Sequence, residues 1–165
     1  MVMRDRSNTV HLGPREGWTV RMAGAQLVTR KVASEQTGGA FSLFEVEVDP
    51  RGGSQPHVQH REDECFYVLE GEFEFLIEGA RIEAGVGSLI YVPKGTLHTF
   101  RNAGDTTGRM LVSQTPGGLH ERCIEEAGKP ASDEATSPAT EELQDVERLA
   151  AIAAEYGVET VPSVP

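Results

Sequence analysis

Between Trp18 and Thr115 apolar residues recur at every second position in short runs, and glycines, prolines or acidic residues close each run. Phe44, Val46 and Val48 alternate with Glu45 and Glu47; Phe73, Phe75 and Ile77 alternate with Glu72, Glu74 and, past Leu76, Glu78. Successive side chains on a strand point to opposite faces, so this period of two describes half-buried strands with one apolar and one acidic face. Further strands are predicted over 18–22, 26–32, 65–69, 88–92, 98–101 and 110–114, with turns at Gly38-Gly39, Gly52-Gly53, Glu70-Gly71, Glu78-Gly79, Pro93-Lys94-Gly95 and Ala103-Gly104. The 18 glycines and 9 prolines suit such a turn-rich chain better than a helical bundle. Eight or so short strands hide their edges by closing on themselves, so the predicted class is all-β, a single sandwich or barrel without internal repeats.

The pattern changes after Thr115. Leu119, Cys123, Ile124 and Ala127, followed by Gly128, predict a short helix. Residues 129–142 are rich in Pro, Ser, Ala, Thr and acids and read as an acidic linker. Leu143, Val146, Leu149, Ala153 and Tyr156 recur at helical spacing and Gly157 stops them, which predicts a C-terminal helix and tail over 143–165, packed on the barrel or on a partner subunit. The expected organisation is an N-terminal arm over 1–17, a barrel with its short helix over 18–128, the linker, and that helix. A formal charge of −11 argues against nucleic acid and anionic membrane surfaces as partners. No apolar run reaches the roughly 18 residues of a membrane span. The first residues lack the apolar stretch of a secretory signal, so the expected compartment is the cytoplasm. Cys65 and Cys123 form no CxxC pair and are expected to be free thiols, buried or half-buried.

Three of the five histidines lie in two segments next to strand-like sequence: His57 and His60 with Glu64 in the first, and His98 in the second. A lone strand histidine is ordinarily structural, whereas imidazoles and a carboxylate converging inside a rigid barrel hold a divalent transition metal with positions left open for substrate. The first segment contains Glu64-x6-Gly71 and the second Gly87-x5-Pro93-x-Gly95-x2-His98-x3-Asn102, with fifteen residues between Gly71 and Gly87. These resemble the paired motifs of the cupin superfamily, over about 18–128, and the flanking Thr37-Gly38-Gly39 and Thr115-Pro116-Gly117-Gly118 resemble quercetin 2,3-dioxygenase-like bacterial monocupins. The resemblance implies a cupin jelly-roll barrel with short C-terminal helices, a bound Fe, Mn, Ni, Co or Zn, and a homodimer.

It also implies a ligand set of His57, position 59, Glu64 and His98, but position 59 is Gln59. Residues i and i+2 share a strand face, so His57 and Gln59 point inward together while His60 points away; a bulge would make His60 a reserve ligand. Three readings of Gln59 stay open: its amide ligates the metal, a water replaces it beside His57, Glu64 and His98, or the site is metal-free and Gln59 bonds substrate. Glu64 is the candidate general base as well as a ligand. By the same parity Phe66 and Phe100 are the candidate substrate-binding floor and Val68 is core, while Tyr67 faces outward. Arg61, Glu62 and Asp63 are expected to be solvated, and His11 and His120 carry no ligand context. The expected function is a metal-dependent dioxygenase acting on a small hydroxylated aromatic molecule. A non-redox cyclase or isomerase and a non-catalytic ligand-binding cupin are the alternatives.

Overall fold

The computed structural model describes residues 9–131 and 142–162. In chain order its elements are β1 (Trp18–Met22), β2 (Gln26–Val32), β3 (Ser42–Val48), β4 (His57–Gln59), β5 (Asp63–Glu70), β6 (Phe73–Ile77), β7 (Ala80–Ala84), β8 (Leu89–Val92), β9 (Leu97–Asn102), β10 (Gly108–Thr115), α1 (Leu119–Ala127), β11 (Lys129–Pro130), α2 (Glu142–Glu155) and β12 (Val158–Thr160). They form two antiparallel sheets, ordered β11-β1-β2-β3-β10-β5-β8 and β12-β4-β9-β6-β7. The apolar faces predicted from alternation meet between the sheets: Phe44, Val48, Phe66, Val68, Phe75 and Met110 are fully buried. Phe66 packs edge-on against Phe75 at 5.2 Å between ring centroids and tilts against Phe100 at 5.7 Å. Such aromatic geometries add to the area buried.

Local chemistry fixes the turns that hold this register. Glu78 and Gly79 join β6 to β7 with φ of 49° and 82°, the two left-handed central residues that match a two-residue hairpin to the twist of its strands. Asn102, last in the second motif, donates through Nδ2 to the carbonyls of Val48 (2.8 Å) and Thr106 (2.7 Å) and accepts from Gly104 N (2.9 Å). It is a buried staple between β9, β3 and the loop before β10.

The chain after Thr115 closes one mouth of the barrel. Cys123 and Ala127 of α1 pack with Ile152 and Ala153 of α2 and with Val158 of β12 in a second apolar cluster. Three expectations are corrected here. Lys129 and Pro130, assigned to the linker, pair with Arg21 and Val20 of β1; the rest of the linker, 132–141, lies outside the described residues. The tail contains a strand, β12, which pairs with β4 and so builds the five-stranded sheet. Val146 is exposed, and the inward stripe of α2 runs instead through Leu149, Ile152, Ala153 and Tyr156. Residues 1–8 of the expected arm are likewise outside the described residues. Cys65 is half-buried and Cys123 buried, both as free thiols. Among the described residues no helix is long and apolar enough to cross a membrane.

Candidate metal centre

Two strands of one sheet and one strand of the other bring three donors together. His57 on β4 stands directly opposite His98 on β9 in the antiparallel register, with ring centroids 4.3 Å apart. Glu64 on β5 faces them from the second sheet, its Oε2 2.7 Å from His98 Nε2 and 3.7 Å from His57 Nε2. All three side chains are buried. Each imidazole is aimed by its own backbone. His57 Nδ1 donates to the carbonyl of Gln55 at 2.7 Å, and His98 Nδ1 to that of Thr96 at 3.0 Å. A ring whose Nδ1 proton is tied to a carbonyl presents Nε2 as its ligand atom, the arrangement that fixes tautomer and direction in metal-binding histidines.

The electrostatics point the same way. A carboxylate oxygen and an imidazole nitrogen 2.7 Å apart cannot both show lone pairs, so a proton or a cation stands between them. Burial raises the Glu64 carboxyl, but the facing His57 and His98 outweigh burial and hold it well below the usual carboxylate range. Burial lowers the His98 imidazole, yet the Glu64 carboxylate and the Thr96 carbonyl leave it above its ordinary value. A divalent ion answers both demands. Donors bound at about 2.1 Å in neighbouring positions stand about 3 Å apart, which the 2.7 and 3.7 Å spacings from Glu64 Oε2 bracket, and the three candidate ligand atoms all lie within 4.8 Å of one another. The residues present therefore fit a metal: His57, Glu64 and His98 would hold it, and two imidazoles with one carboxylate suit Fe, Mn, Co, Ni or Zn.

Around this cluster the other expectations resolve differently. Gln59 is buried beside His57, as parity requires, and its amide nitrogen donates to His120 Nδ1 at 2.9 Å. His60 is exposed and bonds Glu159 Oε2 at 2.8 Å, so no bulge turns it inward and the reserve-ligand role is withdrawn. Phe66 and Phe100 line a cavity of about 170 Å³ that begins at His57 and Glu64 and runs between the barrel and the helices, past Val28, Ile124 and Val158. Val68 is buried and Tyr67 exposed.

Three contributors escaped the sequence reading. Glu62, expected in solvent, is buried, and its two oxygens accept the backbone N–H groups of Leu119 (2.8 Å) and His120 (3.0 Å). Gly118 offers α1 no capping side chain, and Glu62 supplies the missing carboxylate. Burial raises the Glu62 carboxyl, and the two helix N–H groups oppose that rise. Gln114, which shares its inward parity with Val112, donates from Nε2 to Glu64 Oε1 at 3.3 Å and accepts from Ser42 Oγ at 3.3 Å. His120 lines the cavity, where burial, ahead of the opposing charge of Glu64, lowers its pKa to about 4 and keeps the ring neutral. The helical spacing contains the signal for it, because His120, Cys123, Ile124 and Ala127 share the face that looks into the barrel.

A model of the cupin domain family matches residues 44–113, which span β3 to β10 and carry all three donors. The barrel has the cupin fold. The chain is 29% identical over 110 residues to a quercetin 2,3-dioxygenase of Bacillus subtilis, covering 66% of this chain and 32% of that protein. It is 31% identical over 103 residues to germin-like protein subfamily 2 member 2 of Arabidopsis thaliana, covering 58% and 47%. The chain thus spans about a third to a half of the length of these two relatives. A solved structure from Thermotoga maritima, described as a predicted oxalate decarboxylase, superposes with a TM-score of 0.59 at 19% identity, covering 66% of this chain and 98% of that one. At that identity the likeness speaks for the fold, since one fold hosts many chemistries.

Proposed function

We propose that this cupin is a metal-dependent oxygenase of small hydroxylated aromatics. The observation that carries the reading is that His57 and Glu64, two of the three clustered donors, open onto a mainly apolar cavity floored by Phe66 and Phe100, with His98 behind them. An ion bound there supplies Lewis-acid and, for Fe, Mn, Co or Ni, redox chemistry toward a phenol and dioxygen. The chain's own residues do the rest. His57 and His98, tied at Nδ1, keep their Nε2 atoms fixed without reorganisation. Glu64, held ionised and restrained by Gln114, would be both a ligand for the ion and the acceptor for the proton of an acidic phenol. Phe66 and Phe100 take the ring and exclude water.

The cavity's size narrows the substrate class. Its 170 Å³ is close to the ~150 Å³ cavity that accepts a benzene, so one ring with short substituents fits inside, and a three-ring flavonol extends beyond it. The distant likeness to a quercetin dioxygenase supports the reaction class and leaves the substrate smaller. A homodimer belongs to the same proposal: among the described residues β8 ends the seven-stranded sheet with an edge that no other strand pairs, and Leu89 and Tyr91 stand exposed on it. The test is oxygen uptake by iron-, manganese-, cobalt- and nickel-loaded protein offered a panel of one-ring phenols. Metal-dependent uptake that His98→Ala abolishes supports the reading; turnover without oxygen uptake moves the assignment to non-redox cyclisation or isomerisation.

A further inference from the structure

Gln59 stands where the resemblance implies a histidine, and a histidine enters the cavity nearby from a different element, α1. The structure shows how the two are joined. The Gln59 amide nitrogen can only donate, so at 2.9 Å His120 Nδ1 must be the bare, accepting nitrogen. In a neutral imidazole the proton then sits on Nε2. Nε2 has no hydrogen-bond partner among the described residues, yet no buried side-chain nitrogen or oxygen lacks one, so this N–H opens onto accessible space in the cavity that His120 lines. The backbone beneath it is clamped, because Glu62 accepts both the Leu119 and the His120 N–H. The short segment from His57 to Glu64 therefore serves two neighbouring parts of one cavity wall: His57 and Glu64 face the metal position, and Gln59 and Glu62 hold His120, near enough for Glu64 to act on its charge.

We propose that Gln59 and His120 form a substrate-orienting pair, in which the His120 Nε2–H donates to an acceptor oxygen next to the hydroxyl that meets His57, Glu64 and His98. The ligand class is a phenol with a neighbouring carbonyl or ether oxygen. Gln59 is a positioning residue and His120 the contact. This rests on the cavity's assignment to a phenol in the proposed function, and its test separates the two.

The pair of ligands that reads the bond is 2-methoxyphenol and 2-ethylphenol, alike in shape and differing in the acceptor oxygen. One neutral hydrogen bond of about 1 kcal/mol predicts about fivefold tighter binding of the methoxy compound by zinc-loaded wild type. His120→Phe and Gln59→Glu should each erase that preference with zinc content unchanged; a carboxylate can only accept, so Gln59→Glu draws the proton to Nδ1. A long-range ¹H–¹⁵N spectrum of wild type should show His120 protonated at Nε2, a readout that needs no variant to fold. An Nδ1–H tautomer, a preference that survives both variants, failure of wild type to bind either phenol, or loss of zinc in His120→Phe each overturn the proposal. If wild type holds no metal, the oxygenase reading fails by itself, while the tautomer and the binding ratio, measured on metal-free protein, still judge this one.

Discussion

His120 makes the stability of the metal-free protein sensitive to mild acid, by an amount the structure sets. Its imidazole titrates at about 4 in the folded chain, from an ordinary 6.5, because burial in the cavity wall penalises the charged ring. Between those values the unfolded chain takes up a proton that the folded chain refuses, so acid favours unfolding. Above 6.5 neither form is protonated and the term vanishes. Within the window it grows by about 1.4 kcal/mol per pH unit. From pH 7 to pH 4.5 it removes about 2 kcal/mol, a large fraction of a typical stability of about 5–15 kcal/mol. Urea unfolding of chelator-treated wild type and His120→Phe at both pH values measures it. The variant leaves Gln59 unpartnered, which shifts its stability equally at both pH values; the His98 titration is common to both proteins, and Glu64 is held down by His57 and His98 ahead of His120, so its titration changes little. The stability difference between the two proteins should therefore change by about 2 kcal/mol in favour of the variant at pH 4.5. A difference that does not move with pH would show that His120 is not desolvated in the fold and would refute the reasoning.

Further expectations concern the residues that hold the site in place. Glu62→Gln keeps the shape but loses the charged cap on α1, so thermal unfolding should report a loss of about 1–2 kcal/mol, reversed little by salt because Glu62 is buried. Asn102→Ala breaks three hydrogen bonds and strands two carbonyls, and denaturant titration should show about 3 kcal/mol or more lost, or no folded protein. Leu89→Lys on the β8 edge should leave the fold intact and reduce the species seen in sedimentation velocity from dimer to monomer.

Much of the barrel was legible in the sequence because its inward strands alternate strictly. The predicted spans 18–22, 26–32 and 73–77 coincide with β1, β2 and β6. β7 was not legible: Arg81 and Glu83 flank Ile82, and apart from Ala84 the strand is exposed, so tertiary pairing with β6 rather than apolar patterning makes it a strand. β12 is three residues long and owes its conformation to pairing with β4, far away in sequence. At the site, parity placed His57, Gln59, Glu64, His98, Phe66 and Phe100 inward and turned His60 outward. It failed for Glu62, because a charged residue before a strand reads as solvated until the bare N-terminus of α1 is seen to need it. Gly128, which follows the apolar pattern of α1, has a φ of −71° that is open to any residue. A side chain there would meet Val20 Cγ2 at 2.7 Å and the Ile124 carbonyl at 2.8 Å, so close packing on β1 requires the glycine.

The central claim is that His57, Glu64 and His98 hold a metal ion. The most direct measurement is elemental analysis of protein purified without chelator and then offered Fe, Mn, Co, Ni and Zn in turn, beside His98→Ala and Glu64→Ala. The account predicts close to one transition-metal ion per wild-type chain and a loss of about tenfold or more in affinity in either variant, with the fold retained by circular dichroism. Wild type that stays empty with every metal, or variants that retain the ion undiminished, would contradict it.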